Sequence, residues 1–242
     1  MVIGIMVCVV AVKALVSMPK EGTINYEVKV NLHRTVPSDR PEMKEMLPEF
    51  DTYHDRLVFR DGEFLYKNVE EEEGEEFTGG DGTFRMRIRR PPVEYYGNQT
   101  TSQRIRAQEL FGKRYLIEDS IRILPWQLGP ATQTVLGYTC KEASWYNEKR
   151  KQQVKVWYTE QLRPFLGPES YNSLPGTVLL VDINDGERII TAKSVDLSPL
   201  KKNALKVPAA GQRVTEEEFD KIREEQIKKM GSQGGNMIIR RN

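Results

Sequence analysis

The chain has 242 residues, 38% hydrophobic and 29% charged, with a formal net charge of +1. That length suits one sizeable β domain or two small ones, and the apolar share excludes global disorder. The near-neutral balance carries no excess basic charge to argue for nucleic acid.

From Met1 to Val12 the residues form an uninterrupted apolar run, the length of a signal-peptide core and too short to span a bilayer as a helix. Val12-Lys13-Ala14 offers a cleavage site and Leu15-Val16-Ser17 a second, so residues 1–17 read as a signal peptide and the mature chain as secreted. The competing reading is a first core strand. Cys8 lacks the small residue expected just before a lipoprotein cysteine, which argues against lipidation. With the leader removed, Cys140 is the only cysteine, so an internal disulfide is excluded and the core must hold the fold.

Ile24, Tyr26, Val28, Val30 and Leu32 alternate with polar residues, the signature of a half-buried strand over Thr23 to His33. A short helix is expected after Pro41, with Met43, Met46 and Leu47 at helical spacing and Pro48 ending it. Tyr53 to Val69 reads as a hairpin around Asp61-Gly62, a dipeptide suited to positive backbone angles. Glu70 to Glu76 repels itself and, with Phe77 to Gly82, reads as a mobile surface loop. Phe84 to Arg89 alternates apolar residues with arginine, a strand with one cationic face that the acidic loop can neutralise.

Further strands are expected at Val93 to Tyr96, Arg104 to Leu110 and Lys113 to Ile117, with a turn at Phe111-Gly112. Asn98-Gln99-Thr100 reads as a polar turn. Gln133 to Tyr138 and Cys140 to Tyr146 read as two strands or one bent strand, with Gly137 as the kink or bulge. Lys149-Arg150-Lys151 reads as a hairpin tip before a strand over Val154 to Thr159. Val178 to Val181 is apolar throughout and lies between Leu174-Pro175-Gly176 and Asn184-Asp185-Gly186, the pattern of a central strand covered on both faces. The Pro-Gly pair before it reads as a type II turn.

Arg188 to Asp196 is its expected partner, and the β region is expected to end near Pro199. Thr215 to Glu218 is a capping box opening a helix whose Phe219, Ile222, Ile227 and Met230 share a face for docking. The strands with short connections predict a mainly β fold: a curved antiparallel sheet or partial β-barrel with a C-terminal amphipathic helix. Residues 18–200 form the β domain and residues 201–242 a linker, helix and tail.

Ser173-Leu174-Pro175-Gly176-Thr177-Val178-Leu179-Leu180-Val181-Asp182-Ile183 resembles the segment for which the GLPGLI family of Bacteroidetes is named. Gly137-Tyr138-Thr139-Cys140-Lys141, Trp157-Tyr158-Thr159 and Gly167-Pro168 precede it in the family's order, and the resemblance runs from about Tyr115 to Ser194. It implies a periplasmic or outer-membrane-associated protein of the cell envelope and brings no activity with it.

The sequence contains no Gly-Lys-Ser/Thr phosphate loop, HExxH zinc pair, CxxC or GxSxG elbow, and neither cofactor nor metal is expected. A hydrolase would have to use Cys140 as nucleophile with His54 as base and Asp55 as its orienter, against a buried, inert strand cysteine. A concave apolar face could instead carry a lipid or other hydrophobic ligand. The favoured reading is a non-enzymatic binding or accessory protein contacting an outer-membrane or secretion complex. Trp126, Trp157, Tyr158, Leu174, Pro175 and Gly176 are the candidate surface, weighed against core and turn roles.

Overall fold

The computed structural model describes residues 18–69, 76–78, 85–87 and 91–232, with positions 76–78, 85–87 and 230–232 described by their backbone alone. The expected leader and most of the acidic loop lie outside these residues. The alternating N-terminal segment forms β1 (Glu21–Asn31), whose inward residues Ile24, Tyr26 and Val28 are fully buried. Two one-turn helices follow, α1 (Leu32–Thr35), which takes in Leu32 and His33, and α2 (Met43–Met46), which buries nothing. The expected hairpin is β2 (Phe50–Arg60) and β3 (Glu63–Asn68); only Asp61 of its turn has a positive φ, 53°.

A separate ribbon pairs β4 (Glu76–Thr78) with β5 (Arg85–Arg87), setting Glu76 opposite Arg87 in register. Residues 76–78, expected within a loop, are thus a strand. The meander continues with β6 (Val93–Asn98), β7 (Gln103–Leu110) and β8 (Lys113–Ser120). The Asn98 side chain accepts from the Thr100 and Thr101 amides, closing the polar turn between β6 and β7. Then come β9 (Gln127–Val135), β10 (Tyr138–Asn147), β11 (Gln152–Thr159), β12 (Thr177–Ile183) and β13 (Arg188–Asp196).

Two sequence expectations change here. Gly137 is no kink: Leu136 and Gly137, at φ 53° and 81°, form a two-residue hairpin turn that separates β9 from β10. The strands also continue past Pro199. After a strap over residues 197–210, β14 (Gln212–Val214) pairs with β8, in parallel, and α3 (Glu216–Ser232) ends the described chain.

The strands form one open sheet of twelve in the order β14-β8-β7-β6-β3-β2-β1-β13-β12-β11-β10-β9, antiparallel except for β14 with β8. The chain walks outward from β1 to β8, then restarts at the far edge with β9 and walks back until β13 meets β1. In a flat sheet the ten strand spacings from β8 to β9 would measure about 48 Å. Residues 121–126 connect them and reach about 25 Å at most when extended. The sheet must therefore curl into a trough, with both ends approaching the same interior.

The trough is filled by the chain itself. Residues 160–176, between β11 and β12, bury Leu162, Leu166, Tyr171 and Leu174 against the inward residues of β1, β2, β3, β10, β11, β12 and β13. Val178 donates to the Leu166 carbonyl at 2.9 Å, the Thr177 hydroxyl to the Arg163 carbonyl at 2.6 Å and the Tyr26 hydroxyl to the Val178 carbonyl at 2.7 Å. Val178, Leu179 and Val181 are fully buried, as the apolar run predicts, whereas Leu180 is only half-buried.

The type II turn expected at Leu174-Pro175-Gly176 is absent, because Gly176 does not take a positive φ. Glycine is required there by approach: a Cβ would lie 2.2 Å from the Thr159 carbonyl oxygen. At the other end of the sheet, the strap lays Leu200 and Leu205 on the outer face over Val58, Leu65, Tyr96, Ile105, Ala107 and Leu116. Passing the sheet edge as β14, the chain returns on the inner face, where Phe219 of α3 packs on Tyr115, Ile117 and Val214. Of the expected docking face, Phe219 is buried and Ile222 packs beside it, whereas Ile227 is exposed. Met230 lies where only backbone is described.

Candidate functional site

Strand parity decides the hydrolase reading. On β2, His54 and Asp55 point to opposite faces, His54 exposed and Asp55 only 2% exposed on the inner side. Cys140 lies on β10, separated from β2 by four intervening strands, fully buried in the apolar core, and burial pushes its thiol up from the ordinary value. The structure does not bring the nucleophile and base together. Among the described residues, no three His, Cys, Asp or Glu side chains gather as around a metal ion.

The proposed recognition surface also disperses. Tyr158 and Leu174 are each 2% exposed and Gly176 is buried, so these are core and turn positions. Trp157 is half-buried, and Pro175 is exposed at the turn. Trp126, half-buried, donates through Nε1 to the Ser173 hydroxyl at 3.0 Å and meets Trp145 edge-to-face at 6.1 Å. That indole pins residues 121–126 to the plug.

What the structure does assemble is polar. On the inner face, Asp55 accepts from the Tyr66 hydroxyl at 2.5 Å and from the Asn68 amide at 2.7 Å. Burial raises the Asp55 carboxyl, and these two donors only partly offset it. Beside it Arg188 of β13 forks onto Glu169 of the plug, with one contact at 3.2 Å, and donates to the Tyr53 hydroxyl at 3.2 Å. Burial works against the Arg188 charge, and Glu169 with Tyr53 outweighs it, so the guanidinium is held firmly charged.

Register extends this cluster across the sheet, setting Tyr66 beside Tyr95 and Tyr95 beside Arg106. Tyr66 and Tyr95 meet edge-to-face at 6.2 Å, and burial pushes Tyr95 up to about 12. Arg106 pairs with Glu216 at the start of α3 at 2.7 Å, and Arg104 bridges Asp119 at 3.1 Å and Glu216 at 3.7 Å. Opposite, the hairpin tip between β10 and β11 is tied to α3 by the Lys149–Asp220 ion pair. The trough thus has a mouth, bounded by α3, this tip and the plug, where Tyr95, Arg150, Glu169 and Arg188 are all half-buried.

None of these mouth residues stands out in a linear reading. A parity signal was nonetheless present: Asp51, Tyr53 and Asp55 share the face of Leu57 and Phe59, and so put carboxylates and a phenol on the side that must be buried.

A second feature is the outer edge strand. Positions 123–140 contain no Asp, Glu, Lys, Arg or His in a chain that is 29% charged, and they form β9 with its flanks. Thr139 donates its amide to Gln161 rather than to its β9 neighbour Thr134. Thr132 and Thr134 therefore turn their backbone donors and acceptors away from the sheet. Ile123 is 85% exposed and Leu128 65%, with Leu136 and Tyr146 exposed nearby.

No protein-family model matches the chain, and no curated protein matches it. Among solved structures it is similar to PNGF-II in its P21 crystal form, with a TM-score of 0.56 and 14% identity over 85% of this chain and 33% of that one. The C2 form of PNGF-II gives a TM-score of 0.55, 14% identity and coverage of 84% and 32%. At this identity the likeness shows the fold. The chain spans about a third of the length of the PNGF-II chains.

Proposed function

We propose that this chain is a non-enzymatic accessory protein of the cell envelope, exported through residues 1–17, which accepts an extended segment of a partner protein along β9. The uncharged edge carries this reading. Exposed edges are ordinarily guarded by charged side chains, because their unpaired amides and carbonyls would otherwise recruit other strands. Here the guard is limited to Gly129 and Pro130 at the far end, and apolar side chains flank the open stretch. A partner strand pairing at Thr132 and Thr134 supplies main-chain hydrogen bonds, and Ile123, Leu128 and Leu136 supply apolar contacts for an uncharged, apolar-flanked segment.

The lipid-carrier reading is weaker because residues 160–176 already occupy the concave face. The occurrence of the fold within the longer PNGF-II chains is consistent with a module that works beside other parts.

Photo-crosslinking in the source cells tests the reading. A crosslinker at Thr132 or Leu128 is expected to trap a discrete envelope-protein adduct, which Leu128→Lys abolishes without lowering the melting temperature. A crosslinker at Lys29, on the outer face of β1, is the control. No adduct from β9, or the same adduct from Lys29, overturns the proposal, and an unprocessed cytosolic chain overturns the envelope location.

A further inference from the structure

The edge that β9 leaves open fits a second copy of itself. Thr132 and Thr134 turn their amides and carbonyls outward, and Gln133 between them turns its own toward Cys140 of β10. A two-fold axis through Gln133 sets Thr132 of one copy opposite Thr134 of the other, twice over. Each opposed pair exchanges an N–H···O bond in both directions. Neither neighbouring register does this. An axis at Thr132 sets Thr134 against Pro130, which has no amide to give. An axis at Thr134 sets Thr132 against Leu136, whose φ of 53° has already left the strand.

The side chains favour the same match. Two-fold pairing places every group near the axis beside its own copy, so a charge there repels itself. Positions 123–140 hold none. Thr132 and Thr134, both exposed, meet as threonine pairs on the outer face, a favourable cross-strand combination. On the other face Gln133 meets its twin with Cα atoms about 4.5 Å apart, and each carboxamide offers both a donor and an acceptor. Leu136, 45% exposed, comes opposite Pro130 of the other copy at both ends.

We infer that the free chain pairs with a second copy through β9, aligned on Gln133, and that this dimer shelters the edge until a partner segment replaces it. The inference rests on β9 being the partner-binding edge and supplies its resting state. Thr132 faces Lys141 of β10 whereas Leu128 already faces Ala143, so β9 bulges over residues 129–131. The bulge and Pro130 confine self-pairing to the few residues around Gln133. A junction that short is reversible, as displacement by a partner requires.

Sedimentation equilibrium of the chain purified from its source cells tests it, and a monomer–dimer equilibrium is expected between about 1 μM and 1 mM. Gln133→Glu keeps the size of a half-buried side chain and sets two carboxylates together on the axis. It is expected to weaken the dimer about tenfold or more at low salt, with an unchanged melting temperature. Gln133→Lys is expected to do the same. An equimolar mixture of the two variants should associate more tightly than either alone, because the axis then joins opposite charges.

A chain still monomeric at about 1 mM, a dimer that both variants leave intact, or a mixture no tighter than its components overturns the inference. The partner reading fails separately. A purified monomer whose Thr132 crosslinker still traps an envelope protein in cells overturns the dimer alone. A Gln133-dependent dimer with no envelope adduct upholds the dimer and overturns the partner.

Discussion

The two halves of the inner face are buried by different means. Beneath residues 160–176, β1, β13, β12 and β11 present Val28, Ile190, Val181 and Val156, and the cover is largely leucine and tyrosine. Beneath α3, β7 and β8 present Arg104, Arg106 and Asp119 beside Ile117, and the cover arrives with Glu216. Connectivity explains the contrast. The plug is tethered at both ends by paired strands, so little freedom remains to be lost when it docks, and non-directional apolar contacts suffice. The helix is tethered at one end by three residues of β14, and directional ion pairs fix where its first turn lands.

Substitutions can break that contrast in order of severity. Gly176→Ala forces a Cβ to within 2.2 Å of the Thr159 carbonyl, where β11 and the plug must part. A loss above about 4 kcal/mol, seen as failure to fold or a collapsed denaturant midpoint, is expected. Leu174→Ala empties a buried site in the plug and should cost about 3 kcal/mol in one cooperative transition.

Glu216→Gln acts on the other half. It leaves Arg106 and Arg104 short of a charge and should cost about 1–2 kcal/mol, with hydrogen exchange accelerating in α3 before the sheet. Thr215→Ala removes a cap in which the Thr215 hydroxyl accepts from the Glu218 amide at 3.2 Å while Glu218 accepts from the Thr215 amide at 2.7 Å. About 1 kcal/mol is expected, again confined to α3. A global two-state loss in both α3 variants would erase the distinction between the halves.

Asp55→Asn should change a slope more than a midpoint. The folded-state value of Asp55 lies above its unfolded value, so its contribution is fully present below the unfolded value and lost as pH rises through the folded one. Relative to the wild type, the asparagine variant should therefore gain stability as pH rises from 4 toward neutrality. Thermal melts at both pH values check the sign, and a variant that loses stability relative to the wild type on raising the pH contradicts it.

Much of the frame is legible in the chain because one physical rule governs it. Ile24 to Val30 alternate since one face is dry, Val178, Leu179 and Val181 are apolar since they are fully buried, with Leu180 half-buried among them, and Thr215 with Glu218 spells a helix start. The departures have causes that lie outside any local window. β14 is three residues whose strand character comes from the β8 edge they meet. Gly129 and Pro130 mask the start of β9, although a strand lacking an outer neighbour tolerates both. Leu136 takes a positive φ as a leucine seldom does, so a hairpin looked like a kink. The polar cluster was hidden for a different reason: Tyr53, Glu169 and Arg188 come from three distant segments that only the fold brings together.

The pairing of β1 with β13 has a consequence in time. Asn25 and Ser194, whose side chains bond at 2.9 Å, are separated by 169 positions, and almost everything between them must be arranged before that seam can close. Such distant joins make folding slow. Until the seam zips, the facing edges of β1 and β13 stay open, and the architecture is completed only once nearly the whole chain is available.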